Sequence, residues 1–331
     1  MQVLRRILGL REAPPPNEDT LPMGPPPNVP IRSTVGTASQ TNKTAPLDSA
    51  LPTDGRTRNL DQTTVKYSPS LTGSRLIIGQ RTDVGQVRDN NQDSMSAFTA
   101  SISSSEDKPD FGLFIVADGM GGHEDGEKAS SLATRIVTQQ VIKNIYLPLL
   151  DDGFNADSDM EPMTEVLKKA IQKANENITT QVPDGGTTVT AVAIMGYLAY
   201  VAHVGDTRAY MINQEGIEQL TRDHSLVQRL IELGQLTPEE AAEHPQKNVL
   251  YRAIGQNDAL DVDAITRQVT PGSYILICSD GLWNLVSSDE ILSIVLNNGA
   301  NTGVAAKTLV DLANERGGSD NITVIIVRIP E

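Results

Sequence analysis

Residues 111–123 read Phe-Gly-Leu-Phe-Ile-Val-Ala-Asp-Gly-Met-Gly-Gly-His. The apolar run has the length and the β-favouring side chains of a buried strand. It stops abruptly at an acid. Gly119, Gly121 and Gly122 then permit backbone angles that other residues avoid, so the chain can turn sharply or approach a ligand closely. Asp118 is thus expected at a strand end, suited either to an ordinary Asp-Gly turn or to holding a metal ion.

The pattern recurs. Residues 273–281, Ser-Tyr-Ile-Leu-Ile-Cys-Ser-Asp-Gly, deliver Asp280 from a second apolar strand. Val201 to Asp206 delivers a third acid, and Asp320 stands just before the strand Ile322–Val327. Four carboxylates at the ends of apolar strands can converge on one end of a sheet. Unpaired, they would repel one another, so convergence calls for cations.

Working outward, Leu76 to Gln80 and Ser94 to Thr99 read as strands, and 100–110 as a polar hairpin loop. Ala129, Leu132, Ala133, Ile136, Val137, Val141 and Ile145 form one helical stripe. Val166, Ala170, Ile171, Ala174 and Ile178 form another. Strands at 187–195, 197–204 and 207–212 are separated too closely for a helical crossover and are expected to pair antiparallel. Helices follow at about 226–233 and at 237–240, the latter with a capping box at Thr237. Ser287 with Glu290 opens another helix, and Thr302 is expected to cap a last one, stopped by Gly317-Gly318. The order implies an α+β fold with sheets sandwiched between helical layers.

Upstream, residues 1–72 divide into a short apolar and basic start and a linker rich in Pro, Ser and Thr. Such a segment buries too little surface to offset its ordering entropy and is expected to be disordered. The folded domain is placed at 73–331.

The formal charge of −15 argues against nucleic-acid binding and against adhesion to anionic membranes. The longest apolar stretch, 189–204, is too short and too interrupted for a membrane span. One cysteine, Cys278, rules out an internal disulfide framework and reads as a small core residue. With no signal-peptide pattern, a cytoplasmic protein is expected. The ligand set is hard oxygen, which suits magnesium or manganese; His203 reads as a hydrogen-bonded core residue. Two such ions about 3.5–4 Å apart can activate a water for attack on phosphorus. A P-loop is absent, and no Arg follows Cys278 as a cysteine phosphatase would need.

Asp118-Gly119-Met120-Gly121-Gly122, Val204-Gly205-Asp206-Thr207-Arg208, Ser279-Asp280-Gly281 and Ser319-Asp320-Asn321 together resemble the metal-dependent protein serine/threonine phosphatases of type 2C. Arg88 to Asp93, Gly185-Gly186-Thr187-Thr188 and Arg252-Ala253-Ile254-Gly255 extend the likeness, in order, from about 76 to 329. The resemblance implies a four-layer α-β-β-α sandwich of two antiparallel sheets, with a centre of two or three Mn2+ or Mg2+ ions. It implies that Asp118 bridges two ions, that the Gly119 carbonyl binds the second, and that Asp280 and Asp320 complete the first. Asp93 would act through bound water, Asp206 with Asp280 would serve a third ion, and Arg88 would clamp the phosphate. Residues 227–247 correspond to the family's mobile flap.

Two departures stand out. Gln92 replaces a common Glu, which weakens the negative field at the metals. Met120 stands where animal members carry a candidate proton donor, and nearby His123 reads equally as a capping residue of the next helix. The implied activity is hydrolysis of phosphoserine and phosphothreonine on proteins, opposing Ser/Thr kinases, as a monomer. A small-molecule phosphatase and a silent phosphatase-fold scaffold are the alternatives.

Overall fold

The computed structural model describes residues 75–101, 110–122, 124–150 and 161–331 of the chain. The expected tail, the boundary at 73, His123 and the tip of the 100–110 loop lie outside the described residues.

Eleven strands are described: β1 (Ile77–Asp83), β2 (Asp93–Ala100), β3 (Phe111–Gly121), β4 (Gly185–Thr187), β5 (Val189–Met195), β6 (Leu198–Val204), β7 (Arg208–Asn213), β8 (Gly216–Gln219), β9 (Asp263–Gln268), β10 (Tyr274–Cys278) and β11 (Ile322–Arg328). One sheet runs β1-β11-β10-β7-β8. The other runs β2-β3-β5-β6-β9, with β4 added to the end of β3. Every pairing is antiparallel.

Side-chain parity divides the apolar residues among three layers, because alternate residues of a strand face opposite ways. Phe111, Leu113, Ile115 and Ala117 of β3 pack beneath helices α1 (Asp125–Val141) and α2 (Met163–Gln181). Tyr274, Leu276 and Cys278 of β10 pack beneath the later helices, α6 (Ser288–Asn298) and α7 (Thr302–Glu315). Phe114 and Val116, with Ile275, Ile277, Ile325 and Val327, fill the space between the sheets. The central strands are therefore apolar on both faces, which is why they read as unbroken runs. Truncating Ile277 or Ile325 to alanine costs about 2–5 kcal/mol.

Three short helices lie between: α3 (Leu226–Glu232), α4 (Pro238–Ala242) and α5 (Asp280–Trp283). The capping boxes at Thr237 and Ser287 are formed. Thr302 is not a cap; it is the first residue of α7, and Asn301 before it makes no side-chain cap. Gly317 and Gly318 stop α7 with φ of +111° and +46°.

The expected three-strand meander is corrected. β5 and β6 pair, but β7 belongs to the other sheet, beside β10. Gly205, at φ +114°, turns the chain out of one sheet and into the other. No side chain fits there, since a Cβ would stand 2.5 Å from Thr188. Among the described residues no helix is long and apolar enough to cross a membrane.

Candidate metal centre

The layer between the sheets changes character at one end. Along β3, the parity that buries Phe114 and Val116 next places Asp118. Along β10 it places Ser279 after Ile277, and on β11 it places Thr323 before Ile325. Asp93 lies opposite Asp118 in the β2–β3 register.

The expectation that Asp118 ends its strand is corrected as well. β3 continues to Gly121 because β4 pairs with it, Gly119 opposite Thr187 and Gly121 opposite Gly185. Asp118 N–H donates to Thr188 Oγ1 at 3.0 Å. Its carbonyl accepts from Thr188 N–H at 2.8 Å and Thr187 Oγ1 at 2.9 Å. Gly119 donates to the Gln92 carbonyl at 3.1 Å, and a Cβ on it would stand 2.2 Å from the Gly126 carbonyl. The glycine is thus required by close packing against α1. The sharp turn comes later, at Gly121, with φ +133°.

Asp280 opens α5 instead of closing β10. It is buried, and its Oδ2 accepts from Asn284 Nδ2 at 3.2 Å. Asp320 accepts from Arg88 Nη2 at 2.6 Å, so the arginine expected to grip phosphate is here paired with an acid of the cluster. Asp206 is buried in the inter-sheet turn, and its carbonyl accepts from Trp283 Nε1 at 3.0 Å.

Asp93 is not among the residues lining the cleft. Its Oδ2 accepts from Ser279 Oγ at 2.8 Å, while its Oδ1 is shut off from solvent without a partner. The same is true of Asp280 Oδ1. A cavity of about 460 Å³ opens over Asp118, Asp206, Asp280 and Asp320, with Arg88 and Gln92 at one side and Met120, Asn248, Val249 and Gln256 also lining it.

Electrostatics join these acids into one group. Loss of water, then the charges of Asp280 and Asp320, pushes Asp93 up to about 7, against bonds from Thr323 and Ser279. Asp280 is pushed up to about 6, first by burial and then by Asp320. Asp118 and Asp206 are raised as well, mainly by desolvation; Asp93 and Asp280 add to the first, Asp280 and Asp223 to the second. Desolvation and like charge both favour the neutral acid, and a nearby cation would oppose both.

Among the described residues no three His, Cys, Asp or Glu side chains close tightly enough to enclose an ion alone. The donor set nevertheless fits a hard divalent cation. Among the described residues, the acids lining the cavity are all aspartates, two buried oxygens of the cluster have no partner, and Arg88 is the only basic residue lining the cavity.

Asn321 is the organising residue that its neighbour Asp320 obscured. Its Oδ1 accepts from Gln92 N–H at 2.8 Å, and its Nδ2 donates to the carbonyls of Val84 and Asn90, both at 2.9 Å. It thereby pins the loop that carries Arg88 to the start of β11. Only its place directly after Asp320 signals this. His203 is buried and bonded to Thr190 and to the Arg222 carbonyl, and Cys278 is buried, as expected of core residues.

Residues 81–230 match the model of the Protein phosphatase 2C family. The Streptococcus pneumoniae protein phosphatase PhpP is 38% identical over 252 residues, covering 76% of this chain and 96% of PhpP. The solved Mycobacterium tuberculosis serine/threonine phosphatase PstP/Ppp superposes with a TM-score of 0.62 at 32% identity, covering 77% of this chain and 99% of that one. A PstP catalytic domain in complex with two manganese ions gives a TM-score of 0.61 at 30% identity, covering 78% and 100%. The chain belongs to the protein phosphatase 2C family. Its sandwich of two antiparallel sheets between helices is the fold of these bacterial serine/threonine phosphatases.

Proposed function

We propose that the chain hydrolyses phosphoserine and phosphothreonine on proteins and so opposes Ser/Thr kinases, as a cytoplasmic monomer. The observation that carries this reading is the set of four aspartates lining a cleft whose only basic residue, among those described, is Arg88. Residues 73–331 form the phosphatase domain, and 1–72 are a spacer attached to it.

Asp118, Asp280, Asp320 and the Gly119 carbonyl would hold two Mn2+ or Mg2+ ions, Asp206 with Asp280 would serve a third, and Asp93 would support them from behind. When bound, the ions neutralise the acids and lower the pKa of a water molecule enough to make it a nucleophile at neutral pH. Arg88 exchanges Asp320 for the substrate phosphate, to which a guanidinium can donate two parallel bonds that fix its orientation. Asn321 keeps that arginine in place through the loop it pins. Met120 has no proton to give, so the chain supplies no acid at that position.

The test is release of phosphate from a phosphothreonine peptide by the full chain with manganese, then with chelator. Turnover is expected only with the metal, and equal rates would overturn the reading. Sugar phosphates assayed in parallel are expected to be poor substrates.

A further inference from the structure

The turn that carries Asp206 is clasped by a histidine from outside the acid cluster. His224 is almost wholly buried. Its backbone N–H donates to the Gly205 carbonyl at 2.7 Å, and Gly205 N–H donates back to His224 Nδ1 at 3.1 Å. One residue thus holds both polar groups of the glycine that precedes Asp206.

The same residue roots the segment that frames the cleft. Its carbonyl accepts from Tyr251 N–H at 2.9 Å, Ser225 bridges Leu250, and Leu226 N–H donates to the Val249 carbonyl at 2.8 Å. The two ends of 226–249 are therefore fastened together at His224, and Asn248, Val249 and Leu250 line the cavity.

The tautomer follows from geometry. A backbone N–H can only donate, so Nδ1 must carry the lone pair and Nε2 the proton. Nε2 points that proton at Asp263 Oδ2, 3.2 Å away. Arg252 Nη1 donates to the other oxygen, Asp263 Oδ1, at 2.8 Å; it also faces Nε2 at 3.2 Å and competes for the ring's one lone pair, so the proton is assigned to Nε2 from Gly205 N–H at Nδ1 and the Asp263 carboxylate at Nε2. Both groups aim hydrogens at one carboxylate, and against its burial they hold Asp263 below the usual carboxylate range. Burial, with the Arg252 charge, holds the imidazole below the usual histidine range despite Asp263, so it stays neutral.

Resting on the reading that this cleft cuts phosphoesters, we propose that His224 is a positioning residue: locked by Asp263 with Nδ1 as acceptor, it fixes the Gly205–Asp206 turn against the root of segment 226–249. His224 is not among the residues lining the cavity. It acts by keeping Asp206 directed at the cavity.

Three variants of the full chain separate this from a space-filling role. Asn places an acceptor oxygen where Nδ1 stood, whereas Gln places its amide near Nε2 and leaves Gly205 unpaired. His224→Ala and His224→Gln are expected to lower kcat/KM on a phosphothreonine peptide about 10–100-fold, as loss of a supporting contact at a metal site does. Amide exchange at Gly205 is expected to quicken in both. His224→Asn is expected to restore both readouts toward wild type. Wild-type activity and Gly205 protection in His224→Ala, or equal rescue by Asn and Gln, would overturn the proposal.

Imidazole 15N spectra of the wild-type chain decide the tautomer even if the alanine variant does not fold. Nδ1 is expected unprotonated and Nε2 protonated; the reverse would overturn the clasp. If the wild type shows no metal-dependent turnover, the functional reading fails, while spectra and exchange still judge the clasp.

Discussion

Asp223 and Asp280 are both buried aspartates, and they are treated oppositely. Asp223 accepts from Arg208 Nε and Nη2, at 3.1 and 2.7 Å, and from Gln219 Nε2 at 3.1 Å. Arg208 is itself stacked 3.6 Å over the Trp283 ring. That acid is closed off by protein. Asp280 has an oxygen with no partner and makes no salt bridge among the described residues, as is also true of Asp93. The difference separates an ion pair that belongs to the architecture from acids whose charge the described residues leave unanswered.

Removing an open acid should destroy function while sparing the fold. Asp118→Asn is expected to lower turnover of a phosphothreonine peptide by about 10³-fold or more, the loss of several kcal/mol of charge stabilisation. The metal-free variant should melt no lower than wild type, since a repelling carboxylate has gone. A clear drop in its melting temperature would blur the contrast.

Removing the closed acid should do the reverse. Asp223→Ala strands the Arg208 charge and is expected to cost about 3–5 kcal/mol in urea unfolding. A neutral result would mean that Arg208 finds another partner.

Manganese should stabilise the wild type, by about 2.7 kcal/mol at a hundredfold excess over its dissociation constant, and chelator should reverse it. The metal-free protein should also lose stability as pH rises. Asp280 and Asp93 titrate near 6 and 7 in the folded chain, against about 3.9 for an unperturbed aspartate. Between about pH 4 and 7 the folded state binds more protons than the unfolded one, so unfolding becomes easier across that window. Saturating manganese should flatten this slope. A slope unchanged by the metal would detach the acids from the ion.

The smallest expected effect is Arg88→Lys, which keeps the charge but loses the planar fork. A loss of about tenfold in kcat/KM corresponds to one charge-assisted hydrogen bond. Full activity would show that a point charge suffices.

Much of this was legible from residue order. Asp118, Asp206, Asp280 and Asp320 follow or precede unmistakable apolar strands, and both capping boxes are written in four consecutive residues. What escaped depends on partners distant in the chain. Gly119 to Gly121 has poor β propensity and is strand only because β4 pairs with it. β9 is a half-polar edge, Asp-Ala-Ile-Thr-Arg-Gln, held by β6 alone. The crossing at Gly205–Asp206 looks locally like a hairpin; Thr188, seventeen residues earlier, and β10 decide otherwise. Arg88 and Asp320, 232 positions apart, gave no sign of pairing.

Because β2, β4 and the Thr187–Thr188 pair brace the backbone around Asp118 from both edges, protein contacts alone set its position. Such a frame behaves as a socket shaped in advance. A metal centre built there would lose and regain its ions without refolding, so exchange slower than global unfolding would count against it.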